Sequence, residues 1–499
     1  MAEIPPPLPK VVPKRAVVIG AGVAGLAASI RLARLGLQVT LLEKNSSTGG
    51  KLAEYQEKGY RFDIGPSLFT LPHLVDALFE LCGEEPARYF RYMELPDMCH
   101  YFYPGGQRVV TCRDRGTLDE RLAQALGEPP GRTKAFLSHS EMLWRLTAEL
   151  FIFGDFRRWP YLRRAMAQIA LADLMRVGFF STLDKVTRRF FTTQEARQLF
   201  NRYATYNGSD PYRAPGTLAV IPHAEYGFGA WLPEGGMVAI PRSLEGLARR
   251  QGVRILTGTE ARKVEKLNGL WRVETALETF ESEILVCAVD VTTFFTRIFP
   301  QPAWRRKLIR QERSTSAFVF NWGIRGLHPQ LGVHNIFFSS DYATEFQSLQ
   351  LQQMPEDPTV YVFISSKALR SDAPEGCENW FVMVNAPAGF PSDVGKTEAI
   401  KEKILKKLNR QIGFNISGQI EVEYVLTPSF LGSRDGSYDG ALYGAASNSP
   451  WSAFLRMPNQ SRRFPGLFFC GGTVHPGGGI PLCLSSAKLM SDAVARYLA

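Results

Sequence analysis

Residues 17–25 read Val17-Val18-Ile19-Gly20-Ala21-Gly22-Val23-Ala24-Gly25, an apolar strand running into a Gly-x-Gly-x-x-Gly turn and then into the helical pattern Leu26 to Leu35. The helix stops at Gly36, a second strand follows from Leu37 to Leu42, and Glu43 closes it. A lone glycine motif of this kind occurs by chance in the turns of ordinary α/β proteins. Strand, helix, second strand and terminal acid together make a βαβ dinucleotide fingerprint. Gly20 permits the tight turn, Gly22 lets the backbone approach a pyrophosphate, and Gly25 allows close helix–strand packing. Glu43 stands at the distance where a carboxylate takes a ribose hydroxyl, and the helix N-terminus holds the phosphates.

Outward from that turn, Gly49-Gly50-Lys51-Leu52 comes soon after Glu43, followed by Phe62-Asp63-Ile64-Gly65-Pro66-Ser67. Near the other end lies Gly466-Leu467-Phe468-Phe469-Cys470-Gly471-Gly472-Thr473-Val474-His475-Pro476-Gly477-Gly478-Gly479-Ile480-Pro481, a strand entering a glycine-rich turn ahead of a helix from Leu482 to Leu498. Such a turn offers backbone N–H groups to a phosphate or a flavin edge. In these motifs the chain resembles the carotenoid desaturases of the bacterial phytoene-desaturase type, within the FAD-dependent amine oxidase-like group. The intermediate pieces occur in the same family order: Asn207-Gly208-Ser209-Asp210-Pro211, then Tyr226-Gly227, Trp231-Leu232-Pro233-Glu234-Gly235-Gly236-Met237 and the strand Ile284 to Ala288. The end motifs are specific and the middle ones supportive.

The resemblance implies noncovalent FAD as cofactor, held by Gly20, Gly22, Val23, Ala24, Gly25, Glu43, Lys44, Gly49, Gly50, Lys51, Leu52, Gly65, Pro66 and Ser67, with Gly472, Thr473, Gly479, Ile480 and Pro481 from the C-terminal turn. It also implies that the strand near Val264 lies against the adenine, although an ordinary core valine accounts for that residue nearly as well. The turn Gly472 to Cys483 is closer to the hydroxycarotenoid 3,4-desaturase branch than to phytoene desaturases, which more often show Ala-Gly-Ile-Pro-Gly there.

A chain of 499 residues calls for two domains. The expected fold is α/β, a discontinuous Rossmann-type FAD-binding domain (1–75, 225–295 and 456–499) with an α+β substrate domain (76–224 and 296–455). Strands are expected at Val253 to Leu256 and Trp271 to Thr275 in the first, and at Ala317 to Trp322, Thr359 to Ile364 and Trp380 to Val384 in the second. A sheet floor of those aromatic and β-branched residues suits an apolar ligand.

Hydrophobic content of 45% with 21% charged residues describes a globular protein. The formal net charge of +10 fits an anionic partner, a membrane surface at least as well as nucleic acid, and no nucleic-acid module is present. The seven cysteines form no Cys-x-x-Cys pair and read as reduced cytosolic thiols, and the scattered histidines predict no metal. Met1 to Arg15 is proline-rich without an apolar signal core, so it is expected to be a short extended tail. Gly466 to Ala487 is uncharged and long enough to span a bilayer, but its glycines and prolines favour the turn.

The helical stretch 143–200 mixes basic and aromatic residues: Phe151-Ile152-Phe153, Phe156-Arg157-Arg158-Trp159-Pro160-Tyr161-Leu162-Arg163-Arg164, Leu174-Met175-Arg176-Val177-Gly178-Phe179-Phe180 and Arg188-Arg189-Phe190-Phe191. That composition suits a helix lying in a membrane interface, and equally an amphipathic pair with a solvated basic face. The expected localisation is cytoplasmic with peripheral membrane attachment.

No nucleophile–base–acid constellation stands out. His475 reads as a structural turn residue and the pair Asp173 and Arg176 as a surface ion pair, so no catalytic residue is assigned. Carotenoid desaturation, as the resemblance implies it, sends a hydride from an allylic CH2 to the flavin while a proton leaves the neighbouring carbon, and asks the protein for placement, dryness and a modest proton acceptor. The expected substrate is a 1-hydroxy acyclic carotenoid desaturated at its 3,4 bond, with oxygen or a quinone as electron acceptor. The alternatives are a phytoene or acyclic carotene desaturase, a carotenoid isomerase or saturase, an amine oxidase-like enzyme, and a non-catalytic flavin-bearing carotenoid carrier.

Overall fold

The computed structural model describes residues 14–159, 163 and 178–499. Five parallel strands form one sheet, in the order Leu467–Phe469, Ile284–Cys287, Arg15–Ile19, Gln38–Leu42, Arg254–Leu256. They are short and almost wholly apolar because both faces are covered. Alternation sorts their side chains: Ala16 and Val18 pack toward the opening helix Val23–Arg34, while Val17 and Ile19 pack with Val264, Trp271 and Val273. Those three residues belong to an antiparallel meander, Lys263–Leu267, Leu270–Glu274 and Thr279–Ser282. The opening helix packs in turn against Ala239–Arg250 and the closing helix Ile480–Leu498. This is the expected α/β fold with a Rossmann-type parallel sheet, its strands drawn from widely separated stretches of chain.

Element ends differ from the sequence reading by one to three residues. The opening helix begins at Val23 rather than Leu26 and the closing one at Ile480 rather than Leu482. Gly22 and Gly479 stand just before them, and Pro481 adds a φ suited to a first helical turn, so both helices start straight out of their glycine turns.

The second sheet has seven strands, ordered Ile420–Leu426, Ser316–Arg325, Cys377–Ala386, Val360–Phe363, His334–Phe337, Cys99–Phe102, Arg108–Thr111. All neighbours are antiparallel except His334–Phe337 and Cys99–Phe102. Phe318, Phe320, Trp322, Val382 and Val384 face the helix Val394–Ile412, which meets them with Ile400, Ile404, Leu408 and Ile412 at four-residue spacing. Asp393 caps that helix through Lys396 N, and Gly413 ends it at φ +92°. The opposite face, carrying Ala317, Val319, Phe381 and Met383, is left for a cavity.

Helices Arg115–Leu126, Arg132–Thr147, Leu183–Phe190 and Gln194–Asn201 surround a third apolar cluster built on Phe136, Phe191 and Phe200. Of the expected helical stretch 143–200, the described residues show Arg132–Thr147 ending in one π turn, Ala148–Ile152, and the helices Leu183–Phe190 and Gln194–Asn201. The tail residues 1–13, and Pro160, Tyr161, Leu162, Arg164, Asp173, Leu174, Met175, Arg176 and Val177 of the basic aromatic stretch, lie outside the described residues. Among the described residues no helix is long and apolar enough to cross a membrane.

Candidate active site

The first strand leaves the parallel sheet at Ile19 and turns at Gly20, whose φ of +99° an L side chain resists. A Cβ on Gly25 would lie 1.9 Å from Gly20 O, so only glycine lets the helix close on the turn. A Cβ on Gly22 would meet nothing within 4 Å, because that position faces open space. The helix that follows has neither a side-chain cap nor an acid in its first turn, which leaves its N-terminal N–H groups and positive dipole end to an anion. Glu43 braces the same turn. One carboxylate oxygen accepts Ala21 N at 2.8 Å and the other Asn45 N at 2.9 Å, and each keeps a lone pair for a ligand hydroxyl.

A cavity of about 900 Å³ opens beside these residues. Gly20, Gly22, Val23 and Ala24 line it, with Glu43, Lys44, Gly49, Gly50, Lys51 and Leu52 from the next loop and Gly65, Pro66 and Ser67 after the strand Tyr60–Asp63. From the other end of the chain come Gly472, Thr473, Gly479, Ile480 and Pro481. Two residues expected here are not on the wall. Gly25 packs one layer behind it, and Val264 is buried against Trp271 and Val273, while Thr259, Glu260, Ala261 and Arg262 form the wall on that side.

Sequence reasoning missed the last residues of the helix Pro428–Asp435, with Gly436, Ser437 and Leu442, which line the cavity and are reached by two lysines. Lys44 Nζ donates to Ser433 O at 2.5 Å and Lys51 Nζ to Leu442 O. No local signal marks that segment, since its place depends on contacts nearly four hundred residues away in sequence. Asp63, in the middle of a quoted motif, is structural: it accepts from Arg61 at 3.0 Å and from Met237 N at 3.0 Å, and Arg61 also holds Asp372.

The C-terminal turn is fixed from behind. Asn459 Nδ2 donates to His475 O at 3.0 Å and Ser486 Oγ to the same carbonyl at 2.8 Å. The His475 ring is buried and turned away from the cavity, with Nε2 2.9 Å from Gly154 O, and burial pushes it down to about 4. It is a neutral structural residue. Beyond it the closing helix begins at Ile480, again without a side-chain cap. Two uncapped helix N-termini therefore face one cavity, a donor set that fits a phosphate and a ring system gaining negative charge. The glycine cradle and this donor set fit FAD.

The opposite wall is the open face of the seven-stranded sheet, where Ala317, Val319, Ile336, Tyr361, Phe381, Met383 and Leu426 line the same cavity. The basic aromatic residues near Trp159 divide. Phe156 packs against Phe151 and His475, and Arg157 Nη2 is committed to the Phe454 carbonyl at 3.4 Å and the Arg456 carbonyl at 2.5 Å. Trp159 is 65% exposed, as are Phe180 at 93%, Trp451 at 67% and Leu455 at 53%. Phe179 joins two of these, meeting both Phe180 and Trp451 edge-on.

Residues 23–495 match the family model for flavin-containing amine oxidoreductases. A 1-hydroxycarotenoid 3,4-desaturase from Flavobacterium sp. is 40% identical over 96% of this chain and 99% of its own. A 4,4'-diapolycopene oxygenase from Methylomonas sp. is 30% identical over 97% of this chain and 99% of its own. Among solved structures, a triple mutant of putrescine oxidase has the same fold, with a TM-score of 0.63 at 14% identity over 97% of this chain and 99% of that one. The chain belongs to the flavin-containing amine oxidoreductase family and, within it, to the FAD-dependent carotenoid desaturases: it is a flavoprotein oxidoreductase.

Proposed function

We propose that this chain desaturates a carotenoid, and that its substrate is a 1-hydroxylated acyclic carotenoid taken at the 3,4 bond. The observation that carries the reading is a single cavity with the glycine turns on one wall and the apolar face of a sheet on the other. The 40% identical 3,4-desaturase supports the choice of substrate. FAD, when bound, supplies a two-electron acceptor for hydride. The chain's own residues do the rest. Ala317, Val319, Phe381 and Met383 exclude water and seat an apolar chain, while the helix N–H groups hold the phosphates. The cofactor contacts are those read from the sequence, with Gly25 and Val264 shaping the wall from behind.

In this reading residues 1–75, 225–295 and 456–499 form the cofactor domain, and 76–224 and 296–455 the substrate domain. The protein is cytoplasmic and rests on a membrane through Trp159, Phe180, Trp451 and Leu455, so that a lipid-soluble substrate enters without crossing water. Electrons leave to oxygen or a quinone.

The test is turnover by the FAD-loaded protein of a 1-hydroxylated acyclic carotenoid in vesicles. The expected product is lighter by two hydrogens and absorbs further to the red. A product heavier by oxygen would favour the second reading, chain-end oxygenation, for which the 30% identical oxygenase speaks. Conversion of phytoene with the hydroxylated substrate untouched would move the assignment to the phytoene desaturases.

A further inference from the structure

The largely apolar sheet wall of the cavity carries a polar stretch at His334 and Tyr361. His334 is only 4% exposed and stacks on Phe363 with ring centroids 5.1 Å apart. Its Nδ1 lies 2.7 Å from Tyr361 Oη, which is itself 2.7 Å from Ser67 Oγ. The chain of hydrogen bonds thus starts at Ser67, on the cofactor wall, and ends at His334 Nε2, a buried atom on the cavity with no partner among the described residues. Arg202 lines the same cavity. Its guanidinium lies over the rings of Tyr101, Tyr203 and Tyr206, and it donates to Tyr101 Oη at 2.6 Å, but its buried Nε has no partner among the described residues. Tyr206 Oη in turn donates to Glu225 at 2.6 Å.

A buried polar atom left without a partner costs free energy that only a ligand or a water can recover. Burial, with the nearby Arg202 charge, pushes His334 down to about 3, so the ring is neutral and serves as a hydrogen-bonding group rather than a cation. Resting on the desaturase reading above, we infer that His334 Nε2 and Arg202 Nε form a hydroxyl-binding subsite that selects substrates carrying an alcohol on an otherwise apolar chain. A hydroxyl both donates and accepts, so it satisfies Arg202 Nε–H and either tautomer of His334. On a 1-hydroxylated chain that group sits two carbons from the 3,4 bond, and holding it through the relay from Ser67 sets that bond at a fixed place beside the cofactor wall. His334 and Arg202 are positioning and specificity residues here; neither takes a proton from carbon.

The experiment compares a 1-hydroxylated acyclic carotenoid with the same carotenoid lacking the hydroxyl, both in phosphatidylcholine vesicles with FAD-loaded protein. Binding is followed by the carotenoid's absorbance shift and turnover by product formation. The wild type is expected to favour the hydroxylated ligand by about ten- to a hundredfold in both Kd and kcat/KM. His334→Leu should bring that ratio close to one by weakening the hydroxylated ligand alone, with FAD still bound, and His334→Gln should restore part of it. Equal binding of the two ligands by the wild type, or equal loss for both in His334→Leu, would overturn the subsite. If His334→Leu does not fold, the wild-type ratio and His334→Gln decide. Preferential binding without any product would instead overturn the desaturase reading and leave the subsite standing.

Discussion

Glu43 shows how one side chain serves both fold and ligand. Its two oxygens tie Ala21 N and Asn45 N, so the carboxylate holds the glycine turn in shape as well as facing the cavity. Glu43→Ala should weaken FAD binding by about 1.5–3 kcal/mol, as measured by FAD titration of the stripped protein, and should lower the stability of that stripped protein as well. Unchanged affinity would remove Glu43 from the site. His475 carries a different consequence. Its imidazole takes a proton near 6.5 when unfolded but only near 4 in the folded protein, because burial disfavours the cation. Between those values the unfolded chain binds more protons, so stability is lost as pH falls from about 6.5 to about 4, by about 3 kcal/mol. Denaturant titrations at pH 7 and pH 5 should show about 2 kcal/mol of this loss, and His475→Gln should show less of it. The role of His475 was legible in the sequence as a turn residue. His334 was not, because a lone histidine on an apolar strand gives no sign that one nitrogen will be left facing a cavity.

Among the elements, the C-terminal turn depends on a residue outside it. Arg456 is buried, and burial pushes it down to about 10. It donates to the carbonyls of Tyr443 at 3.0 Å, Ala445 at 3.1 Å and Gly472 at 3.4 Å, and to Ser447 Oγ at 3.1 Å. Arg456→Ala should destabilise the protein by about 3 kcal/mol or more and release FAD at a lower temperature than in the wild type, read by thermal melting and flavin fluorescence together. A melting temperature equal to wild type would contradict this. The elements legible in the sequence were those whose pattern is local: the βαβ unit, the strand ahead of the C-terminal turn, and the long apolar strands around Phe318, Val362 and Val382. The strands Cys99–Phe102 and Arg108–Thr111 were not, since they are four residues each, carry His100 and Arg108, and join the seven-stranded sheet only through a partner at His334–Phe337.

Across the whole molecule, the exposed aromatics Trp159, Phe180 and Trp451 are apolar surface with no described cover, on a protein of net charge +10. Replacing all three by Ser should reduce sedimentation with anionic vesicles by about tenfold or more while FAD stays bound, and added salt should weaken the wild-type binding by screening. Equal sedimentation would leave the patch without a membrane role. The sequence singled out Phe156 and Arg157 for this contact, but tertiary packing takes both inward, and burial of that kind is not written in composition. The α/β class and the pairing of the two chain ends were legible because both rest on glycine turns that only one kind of ligand explains. The sharing of one cavity by those turns and the sheet needed the folded chain. Single-turnover mixing tests that shared cavity: FAD-loaded protein and a 1-hydroxylated acyclic carotenoid, combined without oxygen or quinone. The oxidised flavin absorbance should be lost in proportion to the carotenoid that gains a double bond, one for one. Product formed with the flavin absorbance unchanged, or flavin bleached with the carotenoid intact, would contradict it.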